Sequence, residues 1–122
     1  MHSKTILVDF DGVLHAYASP WQGADVISDA PVPDAIQWLE RMLQDPRFSV
    51  CIYSARSIVP AGIEAMKKWF LKHGLFDSYV EKLQFPTEKP VAFLTIDDRA
   101  FCFQGTFPDP DEIVAFKPWN KR

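Results

Sequence analysis

The sequence has little of what several classes of protein require. Two of its 122 residues are cysteines, Cys51 and Cys102, and their apolar surroundings favour reduced core thiols over a disulfide or a metal site. No stretch approaches the ~20 apolar residues of a membrane-spanning helix. Residues 1–4 lead directly into a predicted strand without a signal-peptide pattern. We therefore expect a cytoplasmic protein that does not associate with membranes.

Strong charge of either sign is also missing. The net charge of −3 provides no general attraction to nucleic acid, although Lys117, Lys121 and Arg122 form a small basic end. Charge alone therefore does not identify a partner.

The length and the order of the segments indicate one α/β domain. Of the 122 residues, 48% are hydrophobic, which is enough for a single core, and we predict one domain over residues 1–122. Apolar strand patterns at 5–10, 48–53, 79–83 and 93–96 alternate with helix patterns that begin near residues 33, 60 and 109. A further edge strand is predicted at 101–103. This alternation predicts a Rossmann-like three-layer sandwich with a mostly parallel sheet.

Residues 14–32 form an irregular segment, which we predict to be a short flap. It contains Pro20, Gly23 and Pro31 and shows no sustained hydrophobic period. Its polar and aromatic side chains follow the first strand directly, so they could line a ligand site. Alternatively, the aromatic side chains could pack against the core and hold the flap in place. Both alternatives remain open for these residues: His15, Tyr17, Trp21 and Gln22.

Acidic side chains follow the ends of two predicted strands. Asp9 and Asp11 stand at the end of the apolar run that begins at Ile6, and Asp97 and Asp98 directly follow the run at 93–96. A carboxylate in apolar surroundings stays charged only if a metal ion, another cation or backbone N–H groups replace its lost water. In a parallel sheet, ligands bind at the carboxyl ends of the strands, so these two pairs are expected to meet.

A hydroxyl and an ammonium group are predicted at the same edge of the sheet. Ser54 follows the strand at 48–53, and Lys89 lies in the loop before the strand that carries Asp97. Carboxylate oxygens are ligands that Mg²⁺ prefers, whereas lysine and serine bind phosphate oxygens. The combination predicts a magnesium and phosphate site.

These segments resemble the motifs of the haloacid dehalogenase (HAD) superfamily of phosphatases and phosphotransferases. The family's first motif is a strand followed by Asp-x-Asp-x-(Thr/Val), its second a strand ending in Ser or Thr, its third a lysine, and its fourth a strand ending in paired acids. In this sequence they correspond to Asp9–Val13, Ser54, Lys89 and the pair Asp97 and Asp98. The resemblance spans residues 6–98 and implies a HAD-like fold with a minimal cap.

The resemblance also implies a role for each motif residue. Asp9 would be the nucleophile that forms an aspartyl-phosphate, and Asp11 would be the general acid and then the base. The dehalogenase branch lacks this second acid, so its presence favours a phosphoryl-transfer reaction. Mg²⁺ would be held by Asp9, the backbone carbonyl of Asp11 and Asp97, with Asp98 bound directly or through water. Ser54 and Lys89 would neutralise the transferring phosphoryl group.

Substrate binding is expected to involve Gly12, Ser54, Arg56 and Lys89. Arg56 or Arg99 could bind a substrate anion, although a structural ion pair is the favoured role for Arg99. The sequence leaves no room for a folded cap domain, so the site should be open to a phosphorylated small molecule, a macromolecular end or a partner subunit in a homo-oligomer. The aromatic side chains between Phe101 and Trp119 are expected to pack under the sheet.

Taken together, these features favour a magnesium-dependent phosphohydrolase. Two alternatives remain: a phospho-acceptor module like a response-regulator receiver, and a binding or regulatory protein that has lost turnover. The order of the motifs disfavours the receiver, because there the lysine comes late, whereas here the second acid pair follows Lys89.

Overall fold

Three parallel strands form the sheet. The computed structural model describes residues 3–121 and places β1 (Lys4–Val8) between β2 (Phe48–Ile52) and β3 (Leu94–Ile96). The strands predicted at 5–10, 48–53 and 93–96 are confirmed to within about two residues. A single parallel bridge between Cys51 and Gln84 continues the sheet beyond β2. The fold is therefore α/β with a small parallel sheet, consistent with a Rossmann-like arrangement.

Four α-helices accompany the sheet in the described part of the chain. They are α1 (Ala35–Gln44), α2 (Pro60–Lys72), α3 (Asp77–Lys82) and α4 (Pro110–Val114), with 3₁₀ turns at Ala55–Ile58 and Trp119–Lys121. Pro60 and Pro110 stand at the first turn of their helices, where a missing N–H costs nothing. None of the helices within residues 3–121 has the length and apolar character needed to cross a membrane.

One hydrophobic core supports the sheet. The side chains of Ile6, Val8, Val50 and Ile52 point into it, as the two-residue period of a strand requires. Helices α1, α2 and α3 add Leu39, Phe70 and Val80 among others, whereas no residue of α4 is buried. Three helices thus contribute to one core, and the second helical layer of the expected sandwich stays a prediction.

The prediction of a strand at 79–83 is wrong, because residues 79–82 lie in α3 and Leu83 directly follows it. A strand would place Tyr79, Glu81 and Leu83 on one face. The structure instead buries Val80 and Leu83, three residues apart, and leaves Glu81 exposed, which is helical spacing. Asp77 in the first turn further favours the helix through its dipole.

The expectations for the C-terminal aromatic residues and for Cys102 are also wrong. Residues 101–103 form no strand, and Cys102 is exposed, whereas Cys51 is buried as expected. The large apolar side chains of this region lie on the surface because no helix or strand of the described chain covers them. They are Phe101, Phe103, Phe107, Phe116 and Trp119.

The segment at 14–32 folds back on itself. The N–H of Ala16 donates to the carbonyl of Ala30 at 2.9 Å, and that of Val32 donates to the carbonyl of Leu14 at 2.8 Å. We refer to residues 14–32 as the flap. Its return arm is joined to α2, because the indole N–H of Trp69 donates to the carbonyl of Asp29 at 2.9 Å.

Candidate active site

The carboxyl ends of the three strands lie side by side. Val8, the last residue of β1, is in register with Ile52 at the end of β2 and with Ile96 at the end of β3. Because the strands are parallel and end at the same level, the loops that follow them emerge at one edge of the sheet. This shared register brings Asp9 and Asp97 together although 88 residues separate them in the sequence.

The backbone fixes the position of Asp9. Its N–H donates to the carbonyl of Ile96 at 2.9 Å, which continues the pairing of β1 with β3. Its Oδ1 accepts the N–H of Phe10 at 2.8 Å, and the Phe10 ring is completely buried. The carboxylate of Asp9 is therefore anchored directly above the core.

Three carboxylates form what we call the acid trio: Asp9, Asp97 and Asp98. One oxygen from each lies within 4.8 Å of the others. Burial raises the pKa of Asp9 from 3.8 to about 7, the N–H of Phe10 acts in the opposite direction, and the charges of Asp97 and Asp98 add to the rise. Carboxylates this close repel one another unless a proton or a cation lies between them.

Gly12 leaves room for the Asp98 carboxylate in the acid trio. Its backbone has a φ of +83°, and a Cβ atom there would lie 2.2 Å from Oδ2 of Asp98 and 2.9 Å from its Cγ. A larger residue would push the Asp98 carboxylate away and would strain the left-handed backbone. The structure thus indicates that Gly12 makes room for Asp98, and its role in substrate binding stays a prediction.

The acid trio has the chemistry of a site for a hard divalent cation. Mg²⁺ and Ca²⁺ prefer oxygen ligands, and Mg²⁺ in proteins is held by one or two carboxylates together with water and substrate oxygens. The three carboxylate side chains are close enough together to hold a metal ion, and the identity of that ion stays a prediction. The side chain of Asp11 is not a member of the trio, and coordination through its backbone carbonyl stays a prediction.

Asp11 is neutralised by the protein itself. Both of its carboxylate oxygens accept the Nε–H of Arg56, at 3.1 and 3.2 Å, and Oδ1 also lies 2.9 Å from Nδ1 of His15. Arg56 and His15 are each only 1% exposed. Two buried side-chain donors therefore hold Asp11, whereas over residues 3–121 no cationic side chain forms an ion pair with the acid trio.

Arg56 connects Asp11 to the flap. Its Nη1 donates to three flap carbonyls, those of Gly23, Ala24 and Val26, at 2.9 to 3.1 Å. The guanidinium also lies 4.7 Å from the centre of the Trp21 ring. The sequence predicted that Arg56 binds a substrate anion, but the structure places its guanidinium in the interior, between Asp11 and the flap.

His15 orients Asp11 from the other side, in a defined tautomer. The backbone N–H of Asp29 donates to Nε2 at 3.1 Å, so the ring proton is assigned to Nδ1, which donates to Asp11. The Asp29 carboxylate, 3.7 Å from Nε2, instead accepts the N–H and the hydroxyl of Ser19, and these bonds lower its pKa. The sequence placed His15 only among the side chains that follow the first strand, because nothing local revealed its partners.

Ser54 begins the turn that carries Arg56. Its Oγ accepts the N–H of Arg56 at 3.0 Å, and its own N–H donates to Oγ of Ser57 at 3.1 Å, so the two serines cap the 3₁₀ turn reciprocally. Ser54 is 7% exposed. The predicted serine therefore lies at the strand end as expected, and its hydroxyl also has a structural partner.

Two cavities adjoin Asp9. The smaller, of about 180 Å³, is lined by Lys89 and Asp97 as well as by Asp9 and Ser54, so the structure brings the predicted lysine to the site. Within residues 3–121 no ion pair joins Lys89 to Asp9. The larger cavity, of about 570 Å³, contains Asp11 and Asp98 in its wall and shares Asp9 and Ser54 with the smaller one.

The C-terminal segment reaches the larger cavity, and no pattern in the sequence predicted this contact. The indole N–H of Trp119 donates to the carbonyl of Gly12, 107 residues earlier, at 2.8 Å. Asn120 and Lys121 thereby enter the wall of the larger cavity. The only local signals were the basic end and the tryptophan before it, and neither indicates where the segment docks.

Arg99 also lines the larger cavity. Its backbone N–H donates to Oδ1 of Asp97 at 2.7 Å, which holds the residue beside the acid trio. The expected ion pair of Arg99 is wrong: over residues 3–121 its guanidinium contacts no carboxylate within salt-bridge distance.

Comparison with family models, with curated proteins and with solved structures found no match to the chain.

Proposed function

We propose that the protein is a small HAD-like phosphohydrolase that uses Mg²⁺ and an aspartyl-phosphate intermediate to cleave a phosphate monoester. The observation that carries this proposal is the acid trio. It places an anchored carboxylate, Asp9, between two other acids at the shared end of three parallel strands. The order of the motifs along the chain supports the same assignment.

The smaller cavity supports a position for the phosphoryl group. Lys89 and Ser54 line it together with Asp9, so an ammonium group and a hydroxyl group lie next to the proposed nucleophile. A positive charge and a hydrogen-bond donor near the transferring group stabilise the charge on its oxygens. Lys89 is exposed, which leaves its ammonium group accessible to a ligand.

The proposed reaction has two displacements at phosphorus. The first step starts with Asp9 ionised and Asp11 in its carboxylic acid form. A carboxylate oxygen of Asp9 attacks phosphorus, the bond to the ester oxygen breaks, and the leaving oxygen takes the proton of Asp11. Water then attacks the phosphorus of the acyl phosphate, Asp11 takes a proton from this water, and the bond to Asp9 breaks. The products are an alcohol and inorganic phosphate, and both aspartates return to their starting states.

Mg²⁺ would be held by Asp9 and Asp97, with Asp98 bound directly or through water. When bound there, it would supply positive charge to the phosphoryl oxygens and to the crowded carboxylates. Arg56 and His15 keep the proton-transferring carboxylate of Asp11 at a fixed place beside the nucleophile. Such positioning lowers the entropic part of the activation free energy, because the reacting groups are already held in place.

Hydrolysis of a generic aryl phosphate, measured with Mg²⁺ and with a chelator, tests the proposal. We expect Asp9→Asn to reduce turnover roughly 10⁴-fold because it removes the nucleophile. Asp111→Asn, an exposed position in α4, is the matched control and should stay within about two-fold of the wild type. Equal activity of wild type and Asp9→Asn would refute the assignment.

One observation favours a second candidate function. Because both Asp11 oxygens are engaged by Arg56 and one also by His15, the carboxylate has less freedom to activate water. A chain that forms aspartyl-phosphate but hydrolyses it slowly would act as a phospho-acceptor or a regulatory binding protein. A stable phosphate on Asp9 with negligible release of inorganic phosphate would support this function over the phosphohydrolase.

A further inference from the structure

The two cavities beside Asp9 differ in size and in their cations. The smaller one, about 180 Å³, carries Lys89. The larger one, about 570 Å³, falls within the range typical of small-molecule sites. If the phosphoryl group lies beside Lys89, the larger cavity is the space that remains for the rest of the substrate.

The larger cavity has two cationic side chains in its wall, Arg99 and Lys121. Over residues 3–121, neither makes an ion pair or a side-chain hydrogen bond. Three carboxylates lie in the same wall, yet Asp11 is already bound by Arg56, and Asp9 and Asp98 belong to the acid trio. Arg99 and Lys121 are both exposed, so an external anion can reach them.

Both cations are tied to the loops that carry the acids. Arg99 directly follows Asp98, and its backbone N–H donates to Asp97 at 2.7 Å. Lys121 lies in the same 3₁₀ turn as Trp119, and the indole N–H of Trp119 donates to the carbonyl of Gly12. Their position beside Asp9 therefore follows from contacts with the acid loops rather than from chance exposure on the surface.

From this arrangement we infer that the substrate carries a second anionic group, a phosphate, which Arg99 and Lys121 bind in the larger cavity while the first phosphate is cleaved at Asp9. The inference rests on the proposed function and adds a substrate class to it: an organic phosphate monoester whose leaving group bears another phosphate. An organic bisphosphate and a phosphorylated nucleic-acid end share this chemistry.

Matched substrates test the inference through catalysis. We compare propyl phosphate, propane-1,3-diyl bisphosphate and a short oligonucleotide with a terminal phosphate, each in the presence of Mg²⁺. One charge-assisted contact changes kcat/KM by roughly 10-fold or more, so the two substrates with a second phosphate should be cleaved at least that much better. Preference for the oligonucleotide over the bisphosphate identifies the polymer as the source of the second phosphate, and the reverse identifies a small molecule.

Variants of the two cations sharpen the test. Arg99→Ala and Lys121→Ala should each lower kcat/KM for the preferred doubly charged substrate by roughly 10-fold and leave propyl phosphate within about two-fold. Lys82→Ala, an exposed lysine on α3, is the control and should change neither. Equal kcat/KM for propyl phosphate and the bisphosphate, with no loss in either variant, would overturn the inference and leave the phosphohydrolase intact.

A binding measurement separates this inference from the proposed function. Calorimetry with methylenebisphosphonate and methylphosphonate, which cannot be hydrolysed, should show tighter binding of the bisphosphonate to the wild type. That preference should be lost in Arg99→Ala and Lys121→Ala. If no phosphate ester is cleaved but this preference is present, the result supports the second anion site and refutes the proposed phosphohydrolase activity. If the two phosphonates bind equally, the anion site fails.

Discussion

Asp9 and Asp11 are two residues apart, yet the structure gives them opposite surroundings. Asp9 lies among other acids, and the pKa of its carboxyl rises from 3.8 to about 7 through burial and through the charges of Asp97 and Asp98. Asp11 lies between two buried donors, Arg56 and His15, that satisfy its oxygens. The carboxyl group of Asp9 is therefore surrounded by like charges, whereas that of Asp11 is bound by donors from the fold.

The difference shows how one strand end can provide two kinds of acid. The chain leaves the extended conformation after Val8 and turns, because the N–H groups of Leu14 and His15 both donate to the carbonyl of Phe10. Asp9 therefore lies beside the acids that follow β3, whereas Asp11 lies beside Arg56, which follows β2, and His15 of the flap. Under the proposed function, a cation site and a fixed proton-transfer group would arise from a three-residue motif. Which acid takes which role depends on the neighbouring loops.

Removal of Arg56 should have the largest effect on stability. Arg56→Ala removes one of the two side-chain donors to Asp11 and the donor to three flap carbonyls, and the loss of one partner of a buried ion pair costs about 3–5 kcal/mol. Urea unfolding at neutral pH measures this cost. Arg47→Ala breaks the exposed Arg47–Asp45 pair, which solvent screens, and should change the stability far less. Equal losses of unfolding free energy in the two variants would contradict the claim that the buried Arg56 pair contributes more to stability than the exposed Arg47 pair.

Gly12→Ala should be the next most damaging change. Its Cβ would meet the Asp98 carboxylate and would strain a positive φ, for which we expect a loss of roughly 1–3 kcal/mol and a weaker response to Mg²⁺. Gly74→Ala is the matched control, because Gly74 has a φ of +99° and no atom within 4 Å of the point that a Cβ would occupy. The control should share the backbone strain but keep the full Mg²⁺ response. A Gly12→Ala protein that binds Mg²⁺ as the wild type does would show that Asp98 is not needed.

The stability of the metal-free protein should also depend on pH. The folded protein keeps a proton on Asp9 up to about pH 7, whereas the unfolded chain releases it near the ordinary value of 3.8. The folded state therefore holds more protons between these values, and its stability falls as pH rises through this window. Urea unfolding in a chelator at pH 5 to 8 should show a steeper fall for the wild type than for Asp9→Asn. Identical slopes would mean that Asp9 is not the group that titrates.

The main features of the sheet and the site could be predicted from the sequence because they are local. Apolar β-branched runs that end in polar residues mark β1, β2 and β3, and parallel strands place their ends together. The parallel sheet then follows from the alternation of segments, and the structure brings Asp9, Asp97 and Lys89 to adjoining cavities as expected.

The remaining features depend on contacts that no local pattern reveals. Arg56 meets Asp11 across 45 residues, and Trp119 meets Gly12 across 107. The segment 79–83 is too short for its hydrophobic period to separate a strand from a helix. The C-terminal aromatic side chains look like core residues in composition, but their exposure depends on which elements the fold places over them.

Titration with Mg²⁺, followed by the thermal unfolding midpoint, tests the central claim that the acid trio holds a cation. A ligand that binds only the folded state stabilises it by RT ln(1 + [L]/Kd), about 2.7 kcal/mol at 100 times Kd. The wild type and Asp111→Asn should therefore show the same rise in the midpoint at neutral pH, whereas Asp97→Asn should show little or none. An unchanged midpoint in the wild type, or an equal rise in Asp97→Asn, would contradict the claim.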